Sequence, residues 1–145
     1  MGTENYSDVV DIDYMEYEEA HNNNINSNIN NNTTNSNNIY NQIDRLDMEL
    51  YPFGYTFWDI ERESPHKSKE RSKCADAIRT LIDNKKLMST MLSKGSIPVR
   101  ALSKMSNISS KVIESHEGYI VMTALILTGN YPDLQLYFDY IYDEE

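Results

Sequence analysis

Residues 97–131, IPVRALSKMSNISSKVIESHEGYIVMTALILTGNY, decide the fold, because they read as a short helix, a tight turn and a longer second helix. The first helix is expected over Ile97–Met105. Pro98 falls in its first turn, where a missing N–H costs little, and Val99, Leu102 and Met105 recur on one face. The turn is Ser106-Asn107-Ile108, in which Asn107 tolerates a left-handed backbone. Ser109 is placed to cap the second helix by accepting from its free N–H groups. Ile108 before that cap and Ile113 within the helix have the spacing of a hydrophobic staple, which sets the angle of entry. The second helix then continues to Thr128, with Gly129 as its stop. This is the layout of a helix-turn-helix DNA reader, in which the second helix carries side chains to base edges in the major groove.

The flanking sequence is helical too. Ile43, Leu46 and Leu50 give a helix over 41–50, and Tyr51-Pro52-Phe53-Gly54 breaks it. Phe53, Tyr55, Phe57 and Trp58 form an aromatic cluster expected to plug the core. From Ser64-Pro65 to Leu92 the positions Ala75, Ile78, Leu81, Ile82, Met88 and Met91 make one buried stripe, ended by Gly95. After Tyr131-Pro132, residues Leu134, Leu136, Tyr137, Phe138, Tyr140 and Ile141 suggest a terminal helix, its aromatics serving as core and rim rather than as a base-stacking platform. No run alternates as a strand between hairpin turns. The expectation is an all-α domain of about five helices over 41–142, with the helix-turn-helix at 97–128.

Residues 1–40 are different. Of the 20 positions from Asn22 to Asn41, 12 are Asn, a composition that cannot bury enough apolar surface to offset chain entropy. Residues 1–20 before it are acidic, with scattered Val, Ile and Tyr. A disordered acidic and Asn-rich arm or linker is expected over 1–40.

Charge divides the chain into blocks. Residues 1–50 carry a net −9 and residues 51–61 a net −2; residues 62–111 carry +8, and residues 112–145 carry −7, within a total of −10. The basic block contains the first helix of the reader, as a phosphate contact would require, and the acidic flanks weaken it. A solvated basic face without a partner is the plainer reading of the same block.

Other classes find no motif. There is no basic-then-apolar leader, and the apolar run Tyr119–Leu127 is interrupted by Thr123 and too short to cross a bilayer. Tyr6 follows Met1-Gly2 where a myristoylation signal needs Ser or Thr. The Asn-x-Ser/Thr matches at Asn5, Asn31, Asn32 and Asn107 are what an Asn-rich chain produces by chance. Cys74 is the only cysteine, which excludes an internal disulfide and fits a cytoplasmic location. His21, His66 and His116 with Cys74 have no metal-ligand spacing, and neither a phosphate loop nor a nucleophile motif is present. No catalytic residue, metal or cofactor is expected.

Taken in order, Tyr51-Pro52-Phe53-Gly54-Tyr55-Thr56-Phe57, Ser64-Pro65, Ile97-Pro98-Val99-Arg100-Ala101-Leu102-Ser103, Ile108-Ser109-Ser110-Lys111-Val112-Ile113-Glu114-Ser115-His116, Tyr119-Ile120 and Leu127-Thr128-Gly129-Asn130-Tyr131-Pro132 carry a resemblance. Over about residues 44–141 the chain resembles the C-terminal domain of the sigma-I family of bacterial RNA polymerase sigma factors. The resemblance implies a module that reads the −35 promoter element with the helix beginning at Ser109. It also implies RNA polymerase as a partner of the full-length factor and control by the cytoplasmic domain of a membrane-anchored anti-sigma factor. Carried onto this sequence, the DNA contacts are Ser109, Ser110, Lys111, Glu114 and Ser115, with Arg100 and Lys104 on phosphates. The family's sigma-2 domain precedes the matched region, so a fragment, or a short factor without that domain, is expected.

The family's recognition run is close to Ser-Arg-Lys-Thr-Ile-Glu-Arg-His-Arg-Lys-Tyr-Ile. Here positions 110, 115, 117 and 118 carry Ser, Ser, Glu and Gly in place of bases, leaving Lys111. Glu117 is expected to repel phosphate. Two functions follow: a promoter-binding module, or an interaction module or decoy that binds the anti-sigma factor without binding DNA.

Overall fold

The computed structural model describes residues 38–62 and 64–142. The expected arm over 1–40 lies outside them except for its last three residues, which open the first helix. The described residues form eight α-helices and two short 3-10 segments with no strand, so the all-α class read from the sequence is borne out. The helices are more numerous than expected because two of the anticipated long ones are broken and a further short one forms at Phe57–Arg62, within the expected aromatic plug.

Helix α1 (Ile39–Leu50) starts at Asn38, whose Oδ1 accepts the N–H of Asn41 at 2.9 Å, and buries Ile43, Leu46 and Leu50. A 3-10 turn over Tyr51–Phe53 then reverses the chain at Gly54, φ 86°. Asp47 on α1 accepts the N–H of Phe57 at 2.7 Å, satisfying a free donor where α2 (Phe57–Arg62) begins. Of the expected aromatic plug, Phe57 alone is fully buried. Trp58 meets it edge-on at 4.9 Å, and Phe53 and Tyr55 are half-buried.

The stripe expected from Ser64 to Leu92 is two helices, α3 (Ser68–Asp83) and α4 (Lys85–Lys94). Ser64 does not start it: its hydroxyl donates back to the Glu61 carbonyl at 2.9 Å. Asn84 makes the break. Its backbone is extended (φ −114°, ψ 103°), and its side chain accepts the N–H of Leu87 at 3.0 Å, the local competition that takes Asn out of helix interiors and into caps. Gly95, φ 74°, ends α4 as expected.

The reader follows as α5 (Val99–Ser106) and α6 (Ser110–Ser115), then α7 (Glu117–Thr128) and α8 (Pro132–Gln135). Helix α7 lies at the centre. Every residue from Tyr119 to Ile126 is buried, because its neighbours α1, α2, α3, α6 and α8 surround it, as befits a helix that is apolar all round. Each such aliphatic side chain contributes about 1.5–3 kcal/mol on burial.

The last segment is not the expected regular helix. Residues Leu136–Tyr142 are 3-10 turns kinked at Phe138, with Phe138 and Ile141 buried and Tyr137 and Tyr142 toward solvent. It is pinned to α3, where Arg71 lies 4.2 Å over the Tyr140 ring and Arg79 donates to the Ile141 carbonyl. Helix α8 is anchored from the other end of the chain: the buried Gln42 accepts the N–H groups of Asp133 and Leu134 at 3.0 and 3.2 Å.

Candidate nucleic-acid interface

The turn between α5 and α6 is built by serines. Asn107 adopts the left-handed conformation (φ 67°), the only non-glycine residue with positive φ among those described, and its N–H closes α5 on the Ser103 carbonyl at 2.9 Å. The Ser103 hydroxyl donates to the Ile108 carbonyl at 2.7 Å, and Ser106 Oγ accepts the Ile108 N–H at 3.2 Å. Ser109 then caps α6 by accepting from Val112 at 3.2 Å, as its position implied. Ile108 and Ile113, the expected staple, are both buried. Three hydroxyls thus fix the α5–α6 angle beneath the apolar contact. The roles of Ser103 and Ser106 were missed, although Ser side chains that bond to nearby backbone are the usual chemistry of such turns.

All seven expected contact residues face solvent. Arg100 and Lys104 lie one turn apart on α5, and Ser109, Ser110, Lys111, Glu114 and Ser115 form the outer side of the turn and α6. Ile113 and Leu102 point the opposite way into the core. Met105, expected on the buried face of α5, is 54% exposed, its sulfur 3.6 Å from Asn84 Nδ2 at the start of α4. Val99 packs against the core and Leu102 carries the face alone.

The second helix of the reader is much shorter than expected. It stops at Ser115, and His116 (φ −121°, ψ 30°) separates it from α7. Ser115, His116 and Gly118 are weak helix formers in close succession, which is the signal that periodicity alone passed over. His116 is held where it is: its Nε2 lies 2.6 Å from Glu70 Oε1 on α3, with the His side chain 15% exposed.

The break changes what the two following residues can do. Glu117 does not face a phosphate: its carboxylate turns back to accept the Ile97 N–H at 3.3 Å and the Tyr55 hydroxyl at 3.4 Å. It therefore joins the start of α5 to the aromatic turn. Gly118 is packed so closely that a Cβ there would lie 3.0 and 3.1 Å from Tyr55 ring carbons and 3.2 Å from Ile60 Cγ1. A cavity of about 90 Å³ between α2 and the α6–α7 joint is lined by Tyr55, Asp59, Glu114, His116 and Glu117 among others. Of the four positions where a base was missed, only Ser110 and Ser115 lie on the exposed side of α6.

The charge left on the outer face is Arg100, Lys104 and Lys111 against Glu114. The rest of the basic block is partly used within the fold, since Arg71 and Arg79 tie the terminal segment to α3. Cys74 sits inside the core, where burial pushes its thiol up to about 12, so it carries no thiolate near neutrality. Among the described residues no cluster of three or more His, Cys, Asp or Glu side chains is arranged to hold a metal ion, and no helix is long and apolar enough to cross a membrane.

Fold and site together define a small helical body displaying a helix-turn-helix. No protein-family model matches the chain. Individual relatives do. The RNA polymerase sigma factor SigI4 of Acetivibrio thermocellus is 29% identical over 97 residues, 67% of this chain and 35% of that protein. The sigma factor SigI of Bacillus subtilis is 28% identical over 89 residues, 61% of this chain and 36% of its own, and SigI2 of A. thermocellus 27% identical over 101 residues, 70% and 38%. The resemblance to the sigma-I family is borne out by these matches. The chain spans little more than a third of the length of the relatives it matches.

Proposed function

We propose that the body over 41–142 is the promoter-reading module of a sigma-I type factor. In this reading α6 enters the major groove of the −35 element with Ser109, Ser110, Lys111, Glu114 and Ser115, while Arg100 and Lys104 on α5 meet phosphates. The observation that carries it is the arrangement of α5 and α6: seven polar side chains on one solvent-facing side, set by a serine-locked turn over an apolar staple. Phosphate contacts give affinity and register, and base edges give sequence choice. The partners are promoter DNA, RNA polymerase in the full-length factor and the cytoplasmic domain of an anti-sigma factor; the location is the cytoplasm, and no enzymatic step is involved.

Only three cations occupy the outer face, so DNA affinity is low and its salt dependence shallow, about 0.9 in log–log slope for each phosphate contact. The half-exposed Met105 beside them supports the second reading, in which this face meets a protein, the anti-sigma factor, without DNA. Fluorescence anisotropy with a sigma-I type −35 duplex, a scrambled duplex and the anti-sigma cytoplasmic domain tests both. The promoter reading requires tighter binding to the −35 duplex than to the scramble, reduced by Lys111→Ala. Equal binding to both duplexes, with the protein partner bound, transfers the function to the second reading.

A further inference from the structure

Away from the reader, α4 and the end of α7 border an open groove of about 620 Å³. Its floor is apolar, made by Ile82, Met88 and Leu92, the last 54% exposed. Lys85, Ser89, Ser93 and Thr128 complete its lining. Helix α4 carries three lysines, Lys85, Lys86 and Lys94, and no carboxylate; Asp83 just before it is the nearest acid in sequence. Among the described residues none of these lysines forms an ion pair.

We infer that this groove is the docking site of residues 6–19 of the same chain, YSDVVDIDYMEYEE. Three observations choose this occupant. The segment has six carboxylates and no base, complementary to the lysines of α4. Residues 10–14, Val-Asp-Ile-Asp-Tyr, alternate apolar and acidic, so an extended pairing puts Val10, Ile12 and Tyr14 on the apolar floor and Asp11 and Asp13 toward Lys85. The chain also arrives at the right place. Helix α1 begins against the α7–α8 junction, where Gln42 accepts from Asp133 and Leu134 and Arg45 donates to the Asn130 carbonyl, two residues beyond Thr128. Residues 20–37 join the segment to Asn38, and a chain of that length reaches at most about 60 Å. Covalent attachment makes the contact intramolecular, so modest complementarity suffices.

The test uses the full chain with a nitroxide on Ser7→Cys. Cys74 is buried, so the added thiol is labelled selectively. Docking bleaches the amide signals of Ser89, Leu92 and Thr128 relative to the reduced label, and those of Ser89 and Thr128 return in a Lys85→Glu/Leu92→Asp variant whose spectrum away from the two substitutions is unchanged. Bleaching along Arg100, Lys104 and Lys111 instead would place the segment on the reader and overturn the inference. So would absence of bleaching, which leaves the groove to another chain, or bleaching seen only between separate labelled and unlabelled molecules, which makes the occupant a second copy.

Discussion

Restoring bases at four positions of the recognition run divides into two experiments with opposite outcomes, because His116 ends α6 after Ser115. Ser110→Arg and Ser115→Arg lie on the exposed side, where substitutions change stability by no more than about 0.5 kcal/mol. If each new side chain reaches a phosphate, the slope of log K against log salt steepens by about 0.9 per contact, or about 1.8 for the pair. Glu117→Arg and Gly118→Lys act inside the fold. Losing the Glu117 carboxylate leaves the N–H of the buried Ile97 without its acceptor, a cost of about 1–3 kcal/mol. A Cβ at 118 pushes into the Tyr55 ring and Ile60 at 3.0–3.2 Å, where overpacking costs about 1–3 kcal/mol and helix propensity returns roughly 0.5–1. The 117/118 pair is therefore expected to lower stability by about 1–5 kcal/mol and to give no gain in −35 selectivity. Urea unfolding followed by the single Trp58, packed against Phe57, measures the first quantity. Anisotropy at several salt concentrations, with scrambled DNA as control, measures the second. If the 117/118 pair keeps the unfolding midpoint and steepens the salt dependence as much as the 110/115 pair, the division at His116 is mistaken and the reader is one long helix.

Three further outcomes follow from the packing. Gln42→Ala should cost about 1–3 kcal/mol, since it orphans two N–H groups at the start of α8; an unfolding midpoint equal to that of the unmodified chain would contradict this. Burial, and to a smaller degree Asp44 and Asp59, holds the Asp47 carboxyl above its ordinary value of 3.8 despite the Phe57 N–H, so the folded state binds its proton more tightly than the unfolded state. That contribution is complete below pH 3.8 and is lost as pH rises through the raised value, so the stability of the unmodified chain relative to Asp47→Asn should fall as pH rises above 3.8; a flat or rising difference speaks against it. The Cys74 thiol, buried and pushed up to about 12, should stay unmodified by a thiol reagent at neutral pH until urea unfolds the chain, and prompt reaction in native buffer would show that α3 opens readily.

The parts of the fold that sequence made legible are those set by short-range chemistry. Asn107, Ser109, Ile108 and Ile113 each act within five residues of their partners, and the structure places them as their spacing implied. The same holds for Gly95 and for the Ile43, Leu46, Leu50 face. What could not be read depends in part on partners far along the chain, although the Asn84 cap on Leu87 and the Ser103 and Ser106 bonds to Ile108 are local. Periodicity continues across Asn84 and His116 because apolar residues lie on both sides, and it carries no record of Glu70, 46 residues away, fixing the His116 ring. Glu117 looked like a misplaced charge beside DNA, since only the folded chain brings Ile97 and Tyr55 to its carboxylate. The seven proposed contact residues rest on the family resemblance, and their common exposure is a finding of the structure alone.

The break at His116 resolves a conflict that one continuous helix would face. Residues 119–126 are apolar on every side and can be satisfied only at the centre of the body, whereas Ser110, Lys111, Glu114 and Ser115 need solvent or DNA. A straight helix would carry both needs on one axis, so that its outer end projected along the direction of the buried end. Ending α6 at Ser115 frees its axis from that of α7, and two contacts then fix the angle: His116 to Glu70 on α3, and Glu117 to the start of α5. The second contact ties the approach to α5 to the start of α7. The angle between α5 and α6 is left to the serine turn, which sets Arg100 and Lys104 relative to Lys111. In the proposed function, the spacing of those three cations is the register in which this face meets a phosphate backbone.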